Sequence, residues 1–261
     1  MVNPVSTSTS TIAGVPIDII GVSQGFRTAS GAALPVLADV HLSVAAGEFV
    51  ALVGPSGSGK STLLRLLAGL DRPLFGDIYV DGEEVTGPDP RRGLVFQDPT
   101  LLPWRTVRDN VALGPEATGT LEQSAGAIDA VLGLVGLSDF ADALPAQLSG
   151  GMAQRAALAR VLVNKPRVVL FDEPLGKLDA LTRRALQREL RDLWQRERFT
   201  AVMVTHDVDE AILLADRIVV FTPRPARITE IVPIDLAHPR DYGDPRVIAL
   251  RRHILGRLDS E

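Results

Sequence analysis

The sequence GPSGSGKST at residues 54–62 fits the phosphate-binding pattern G-x-x-x-x-G-K-[ST]. It follows a short apolar run, Phe49 to Val53, which is typical of a strand covered on both faces. Good helix formers follow from Leu63 to Ala68, and Gly69 then predicts the end of the helix. The pattern requires this order of strand, loop and helix. The loop consists of Gly54, Pro55, Ser56, Gly57, Ser58, Gly59, Lys60, Ser61 and Thr62.

The chemistry of this phosphate loop (residues 54–62) is specific. Its glycines let backbone N–H groups curl around an anion, and the helix that begins at Lys60 adds the positive end of its dipole. Lys60 is expected to reach the β- and γ-phosphates as a compact charge, and the hydroxyl of Ser61 suits Mg²⁺. The alternative, a chance glycine-rich loop, has a probability on the order of 0.2% under independent residue usage. The segment therefore predicts a nucleoside triphosphate site.

Composition excludes several classes of protein. The chain has 261 residues, a formal charge of −5 and no cysteine, so it is no disulfide scaffold and has neither a thiolate metal site nor a cysteine nucleophile. The acidic balance argues against nucleic acid as the main partner. Only three of its basic residues are lysines, and one of them is Lys60. No apolar stretch is long enough to span a membrane, and the Ser- and Thr-rich residues 1–15 are expected to be a disordered tail rather than a secretory signal.

The rest of the chain alternates strand-like and helix-like stretches, as in an α/β protein. Val40, Leu42 and Val44 alternate with polar residues, and Asp81-Gly82 is typical of a hairpin turn. Residues 98–164 are rich in Ala and Leu without a good strand candidate, which predicts a helical insertion. Further strands are predicted at 77–80, 93–96, 168–171, 201–204 and 218–221, helices at 152–163, 180–196, 209–215 and from 245 onward, and mostly coil at 222–243.

Two adjacent acids end the most apolar predicted strand, Val168 to Phe171. Open α/β sheets bind ligands at the carboxyl ends of their strands. Asp172 is therefore expected to hold Mg²⁺, through water, and Glu173 to polarise an attacking water. The alternative interpretation is that both acids are ordinary surface charges. The presence of the phosphate loop in the same chain makes this interpretation less favoured.

A second helix start has the features of an anion site. Ser149 and two glycines stand at the head of the Ala-rich helix predicted at 152–163. Read alone, this is an ordinary capped helix. One chain does not need two separate sites for the same γ-phosphate. The second site would be useful only if it reached the nucleotide bound to another copy. The segment consists of Leu148, Ser149, Gly150 and Gly151, and Gln154 follows it on the helix.

Several motifs together resemble the nucleotide-binding subunit of ABC transporters. The phosphate loop, Gln97, residues 148–151, Asp172-Glu173 and His206 occur in that family's order and at its separations, and the resemblance covers about residues 17–230. It implies a P-loop NTPase (RecA-like) core with an N-terminal antiparallel β subdomain and an inserted α-helical subdomain. It also implies two copies packed head-to-tail, with each MgATP between the phosphate loop of one copy and the Ser-Gly-Gly signature of the other.

The resemblance assigns expected roles to single residues. Glu173 corresponds to the catalytic base, Gln97 to the residue that contacts Mg²⁺ and the attacking water, and His206 to the residue that holds the γ-phosphate. Asp179 matches the loop that crosses the dimer interface, and Phe26 matches the aromatic that stacks on adenine. A lone histidine after a strand is usually structural, but the spacing from Glu173 favours the functional role of His206.

The chain departs from the family pattern at one position. Lys177 stands where a small residue is expected beside Leu178-Asp179; it would add an interface salt bridge or point to solvent. The ATPase domain is expected over 16–235, with its helical subdomain at about 98–164, and a C-terminal coil and short helix over 236–261.

Exposure of the apolar run Leu-Leu-Pro-Trp at 101–104 to water is unfavourable, so the run is expected to be covered. An ordinary turn in the core is one explanation for it. The run and the Pro-rich tail from 222 resemble the ATP-binding subunits of importers of the nitrate, sulfonate and taurine group. In that group the stretch that corresponds to 101–104 faces the permease. The implied activity is ATP hydrolysis that drives import of an aliphatic sulfonate, taurine or nitrate through a membrane permease. The implied partners are the permease and, indirectly, a solute-binding protein. The expected location is the cytoplasmic face of the inner membrane. Other candidates are a soluble ABC ATPase of DNA repair or translation, and a P-loop kinase or GTPase, which leaves the signature unexplained.

Overall fold

The structure is a computed structural model that describes residues 13–27, 30–176 and 178–259. Within these residues, ten strands form two sheets, and there are eight α-helices. The strands are β1 (Ile17–Arg27), β2 (Ala33–Val44), β3 (Phe49–Val53), β4 (Phe75–Val80), β5 (Glu83–Glu84), β6 (Arg92–Val95), β7 (Val168–Asp172), β8 (Thr200–Val204), β9 (Arg217–Phe221) and β10 (Ile228–Pro233). The helices are α1 (Lys60–Leu67), α2 (Val107–Val111), α3 (Leu113–Ala117), α4 (Leu121–Leu134), α5 (Gly150–Leu162), α6 (Ala180–Glu197), α7 (Val208–Leu214) and α8 (Pro245–Asp259).

The central sheet has the order β10-β9-β3-β8-β7-β6. All of its neighbouring pairs are parallel except β10 with β9. The carboxyl ends of parallel strands lie along one edge, which is where open α/β sheets hold ligands. The ends of β3, β7 and β8, together with the residues just after β6, therefore lie along the same edge.

The smaller sheet is antiparallel, with the order β2-β1-β4-β5. A two-residue hairpin joins β4 to β5, and its residues Asp81 and Gly82 have φ values of 56° and 75°. Positive φ at both positions is the geometry of a type I′ turn, which the Asp-Gly pair predicted. The buried face of this sheet packs with Leu63 and Leu64 of α1 and with Leu52 of β3 in one apolar cluster. Gly59 of the phosphate loop lies against Val36 of β2 and Gly54 lies against Phe221 of β9, so the loop lies between the two sheets.

The helical insertion packs on the other side of the central sheet. Its helices α2, α4 and α5 contribute to an apolar cluster that includes the aromatic side chains of Phe49, Phe171 and Trp194. Phe49 and Phe171 stack with ring centroids 6.2 Å apart, and Trp194 meets Phe49 edge-on. Between residues 98 and 164 the described chain contains helices and turns and no strand, as predicted.

The structure differs from the predicted organisation at β10 and at both ends of the domain. Residues 228–233, expected to be coil, form β10, whose edge position and terminal Pro233 gave only a weak strand pattern. The ordered domain begins before residue 16, because the Gly14 N–H donates to the Arg198 carbonyl oxygen at 3.0 Å and Val15 is buried. Residues 1–12 of the expected tail lie outside the described residues. At the other end, Val247 and Ile254 of α8 are buried in the main cluster, so the C-terminal helix is part of the core.

None of the helices in the described part of the chain combines the length and hydropathy needed to cross a bilayer.

Candidate active site

The phosphate loop encloses the side chain of Lys60. Its Nζ donates to the carbonyl oxygens of Gly54 and Pro55, both at 2.8 Å, and to the Ser58 hydroxyl at 3.1 Å. Gly59 precedes α1 with φ of 114°, and a β-carbon there would lie 2.6 Å from a methyl group of Val36. The loop can approach β2 this closely only with glycine at position 59.

Burial lowers the pKa of the Lys60 ammonium, while the negative charges of Glu173 and Asp172 oppose this shift. The residue is only 6% exposed. Its ammonium is therefore enclosed by the loop, where a charge shielded from solvent attracts an anion more strongly than at an open surface.

Asp172 at the end of β7 contacts the phosphate loop directly. The Ser61 hydroxyl donates to its Oδ1 at 2.7 Å. Burial raises the pKa of Asp172, and the neighbouring charge of Glu173 acts in the same direction; the Ser61 hydrogen bond and Lys60 oppose it. A hydroxyl and a carboxylate side by side are the hard oxygen ligands that Mg²⁺ prefers, so these residues fit that ion.

Glu173 is the point where three segments of the sheet edge meet. Its Oε2 accepts from Gln97 Nε2 at 3.2 Å and lies 3.2 Å from His206 Nδ1. Gln97 follows β6, Glu173 follows β7 and His206 follows β8. Glu173 has φ of 47°, a left-handed conformation that costs a non-glycine residue roughly 1 kcal/mol, and its N–H donates to the Val204 carbonyl oxygen at 3.0 Å. The backbone is held in a strained form that directs this carboxylate toward its two neighbours.

A pocket of about 280 Å³ lies beside the phosphate loop. Phe26 is 48% exposed and reaches the pocket from the end of β1, so the predicted adenine-stacking residue and the loop share one pocket. Arg224, which sequence analysis missed, also lines it. The lining residues are Phe26, Leu34, Val36, Ser56, Gly57, Gly59, Lys60, Ser61, Thr62, Glu173, Val204 and Arg224.

The signature segment lies elsewhere on the chain. Ser149 caps α5 by accepting the Met152 N–H at 3.3 Å, and no described residue from 148–154 lines the pocket. Asp179 caps α6 by accepting two N–H groups at 3.1 Å, next to this segment, since a β-carbon on Gly151 would overlap Thr182. The segment and the Asp179 loop thus form one surface.

The side chains of Gln154 and Leu148 pack inward from the signature segment. Gln154 is buried and donates to the Phe96 carbonyl oxygen at 3.2 Å, so its side chain braces the strand end before Gln97 instead of lying on the signature surface. Leu148 is partly buried against the core. Lys177, which departs from the family pattern, lies outside the described residues.

Sequence analysis also missed a buried acid behind His206. Glu210 on α7 is 3% exposed, and its carboxylate accepts a hydrogen bond from the Thr205 hydroxyl. Thr205 Oγ1 in turn accepts the Asp207 N–H at 3.0 Å, so this pair braces the turn that carries His206. The one available signal was an acid on the apolar face of α7, between Val208 and Ala211.

Glu210 gives a testable dependence of stability on pH. Burial raises its pKa to about 7, as do the charges of Asp207 and Glu173, against the Thr205 hydrogen bond and Arg183. The protonated Glu210 carboxyl stabilises the folded state fully below about pH 4.5, and this stabilisation is lost as pH rises through about 7. The amide in Glu210→Gln still accepts from Thr205 but does not titrate. Between pH 5 and 8 we expect the variant to gain up to about 3 kcal/mol of unfolding free energy relative to the wild type, measured by urea denaturation.

The matched control for Glu210 is Glu122→Gln, an exposed acid on α4, whose stability is expected to follow the wild type at every pH. If the unfolding free energies of Glu210→Gln and the wild type fall by the same amount as pH rises from about 5 to 8, Glu210 is not the titrating group.

The sequence matches the family model described as ABC transporter over residues 37–176, more than half of the chain. The chain belongs to the ABC transporter family. An uncharacterized ABC transporter ATP-binding protein of Methanocaldococcus jannaschii is 50% identical over 233 residues, which are 89% of this cassette and 87% of that protein. The aliphatic sulfonates import ATP-binding protein SsuB 2 of Burkholderia cenocepacia is 47% identical over 220 residues (84% and 80%). The nitrate import ATP-binding protein NrtD of Synechococcus elongatus is 45% identical over 246 residues (91% and 89%).

Solved structures of ATP-binding cassettes share the fold. A dimeric cassette in a post-hydrolysis state bound to ADP and Pi matches with a TM-score of 0.72 and 30% sequence identity. The match covers 85% of this chain and 100% of the cassette chain. A dimeric bacterial ABC transporter cassette gives a TM-score of 0.71. These findings confirm the predicted fold class and the resemblance to the sulfonate and nitrate importer group. The cassette is an ATPase.

Proposed function

We propose that the cassette is the ATP-hydrolysing subunit of an importer for a small anion or sulfonate-type solute. The observation that carries its catalytic part is the meeting of Gln97 and His206 at one carboxylate oxygen of Glu173, beside the pocket of the phosphate loop. The relatives named for sulfonate and nitrate import support the solute class. Aliphatic sulfonate, taurine and nitrate are the candidate solutes.

The residues divide the work of hydrolysis. Glu173 takes a proton from the attacking water as general base, since it is the carboxylate at the strand end that is free of the Ser61 contact. His206 and Gln97 orient that water and the γ-phosphate, and Lys60 with the loop N–H groups binds the phosphates. Ser61, Asp172 and Gln97 would hold Mg²⁺, which neutralises phosphate charge when bound.

A second copy completes the site in this proposal. Ser149, Gly150 and Gly151 present a helix N-terminus on a surface that does not line their own pocket. The dimeric state of the related cassettes supports a head-to-tail pair in which this terminus binds the partner's ATP. Asp179, beside the same surface, belongs to that interface. The nucleotide is therefore sandwiched between copies.

A membrane permease is the proposed second partner. Trp104 is 73% exposed, and a separate surface groove of about 370 Å³ is lined by Leu70, Leu94 and Phe96 among others. Buried Asn110 fixes the segment before α2, donating to the carbonyl oxygens of Leu102, Arg105 and Thr106 at 2.9–3.1 Å. A rigid segment that exposes a tryptophan is typical of a protein interface. Through this partner the cassette sits on the cytoplasmic face of the membrane.

Trp104→Ala tests the permease contact. A buried interface tryptophan contributes about 2 kcal/mol or more, so we expect at least a thirtyfold loss in affinity for the co-expressed permease. Co-purification from detergent-solubilised membranes measures it. Ile248→Ala removes another exposed apolar side chain, from α8, and should co-purify normally. Equal recovery of both variants would place the permease elsewhere.

Uptake by the source organism tests the solute. Disruption of the gene is expected to abolish uptake of ethanesulfonate, taurine or nitrate, with rescue by the wild-type gene and not by Glu173→Gln. Sulfate and ammonium uptake serve as controls. Unchanged uptake of all three solutes would contradict the importer proposal and favour a soluble ABC ATPase of DNA repair or translation.

A further inference from the structure

Arg224 extends from the loop between β9 and β10 over the phosphate loop. Its Nη2 lies 3.4 Å from the position that a β-carbon would occupy on Gly57. The side chain lines the same pocket as Lys60 and Ser61. The pocket therefore has two cationic side chains, one inside the phosphate loop and one over it.

The two cations differ in what they already bind. Lys60 donates to three oxygens of its own loop. Arg224 is exposed, and within the described ranges no carboxylate or carbonyl oxygen pairs with its guanidinium. Arg217, on the preceding strand, pairs with Glu48 instead. The donors of Arg224 are therefore available to a ligand in the pocket.

The loop that carries Arg224 is held at both ends. Thr222 N donates to the Arg227 carbonyl oxygen at 3.0 Å, and Thr222 Oγ1 accepts the Arg227 N–H at 2.9 Å. Ala226 is fully buried and pairs with β2, donating to the Val36 carbonyl oxygen at 2.8 Å and accepting the Ala38 N–H at 3.0 Å. The loop is thus joined to the strand whose Val36 lines the pocket, so ligand binding need not order it.

We propose that Arg224 binds phosphate oxygens of the nucleotide and is a determinant of nucleotide affinity. A guanidinium presents a planar fork of donors that matches phosphate oxygens. Asp172 and Glu173 place negative charge at the other side of the phosphates, so a cation over the loop offsets repulsion of the incoming nucleotide. The inference rests on ATP as the ligand and assigns a residue outside the phosphate loop to its recognition.

The test compares Arg224→Gln, Arg224→Lys and the control Arg227→Gln, an exposed arginine of the same loop. Dissociation constants for ATP and ADP come from calorimetry, and that for adenosine from competition with a fluorescent ADP analogue. We expect Arg224→Gln to weaken ATP and ADP about tenfold, with adenosine and the control unchanged. Arg224→Lys should retain part of the affinity, and the salt dependence of ADP binding should be shallower in Arg224→Gln.

Unchanged ATP and ADP affinities in Arg224→Gln would overturn the assignment. Equal weakening of adenosine would also overturn it, since the residue would then contact the nucleoside or support the pocket wall. Failure of the wild type to bind ATP would instead contradict the function of the cassette, so the two failures are distinguishable.

Discussion

Replacing Glu173 with glutamine is expected to lower ATP hydrolysis about 10²- to 10⁴-fold, or roughly 3 to 5 kcal/mol, while ATP binding persists. The amide has the size of the carboxylate and still accepts from Gln97 Nε2, so the geometry of the strand end is preserved. It cannot take a proton from water. The effect should therefore appear in kcat, measured by phosphate release at saturating ATP, with a dissociation constant for ATP close to that of the wild type.

The control for this substitution is Glu84→Gln, an exposed acid in β5 of the smaller sheet. It removes the same charge from the chain without touching the pocket and should hydrolyse ATP normally. Full activity in Glu173→Gln would remove Glu173 from the role of base and would direct attention to Asp172.

Replacing Lys60 with methionine is expected to weaken ATP binding by more than about 100-fold. Charge-assisted hydrogen bonds contribute about 1.5 to 3 kcal/mol each, and Lys60 is the one cation enclosed by the phosphate loop in the described chain. Lys60→Arg should fail to rescue, because a guanidinium does not fit a site that holds one Nζ among three oxygens. Calorimetric titration with ATP measures both variants.

Lys165→Met is the matched control for Lys60→Met. Lys165 is exposed and has φ of 49°, which methionine tolerates no worse than lysine, so stability and ATP affinity should match the wild type. Nearly normal ATP affinity in Lys60→Met would mean that the loop N–H groups hold the phosphates without this charge.

Sequence patterns predicted the parts of the site that depend on local order. The phosphate loop and the acid pair each combine a backbone requirement with the residue that meets it, so both can be recognised along the chain. The Asp-Gly hairpin of the smaller sheet, outside the site, was recognised for the same reason. β10 was missed because its edge position leaves Thr229 and Ile231 exposed, and the proline-rich neighbourhood obscures the alternation of apolar and polar residues. Val15 was assigned to the tail because only tertiary packing buries it.

The missed site residues depend on contacts between distant segments. Arg224 reaches the phosphate loop only because Ala226 pairs with β2, which no local pattern contains. Glu210 meets Thr205 five residues earlier in the chain, but its burial depends on tertiary packing that no local pattern contains. Gln154 shows the converse, since proximity in sequence to Ser149 suggested a shared surface, whereas its side chain faces Phe96.

The most direct test of the proposed two-copy ATP site is sedimentation velocity of Glu173→Gln with saturating MgATP. The variant binds ATP without consuming it, so the sandwich should accumulate. The account predicts a dimer with ATP and a monomer with ADP at the same protein concentration. A monomer at saturating ATP would contradict it.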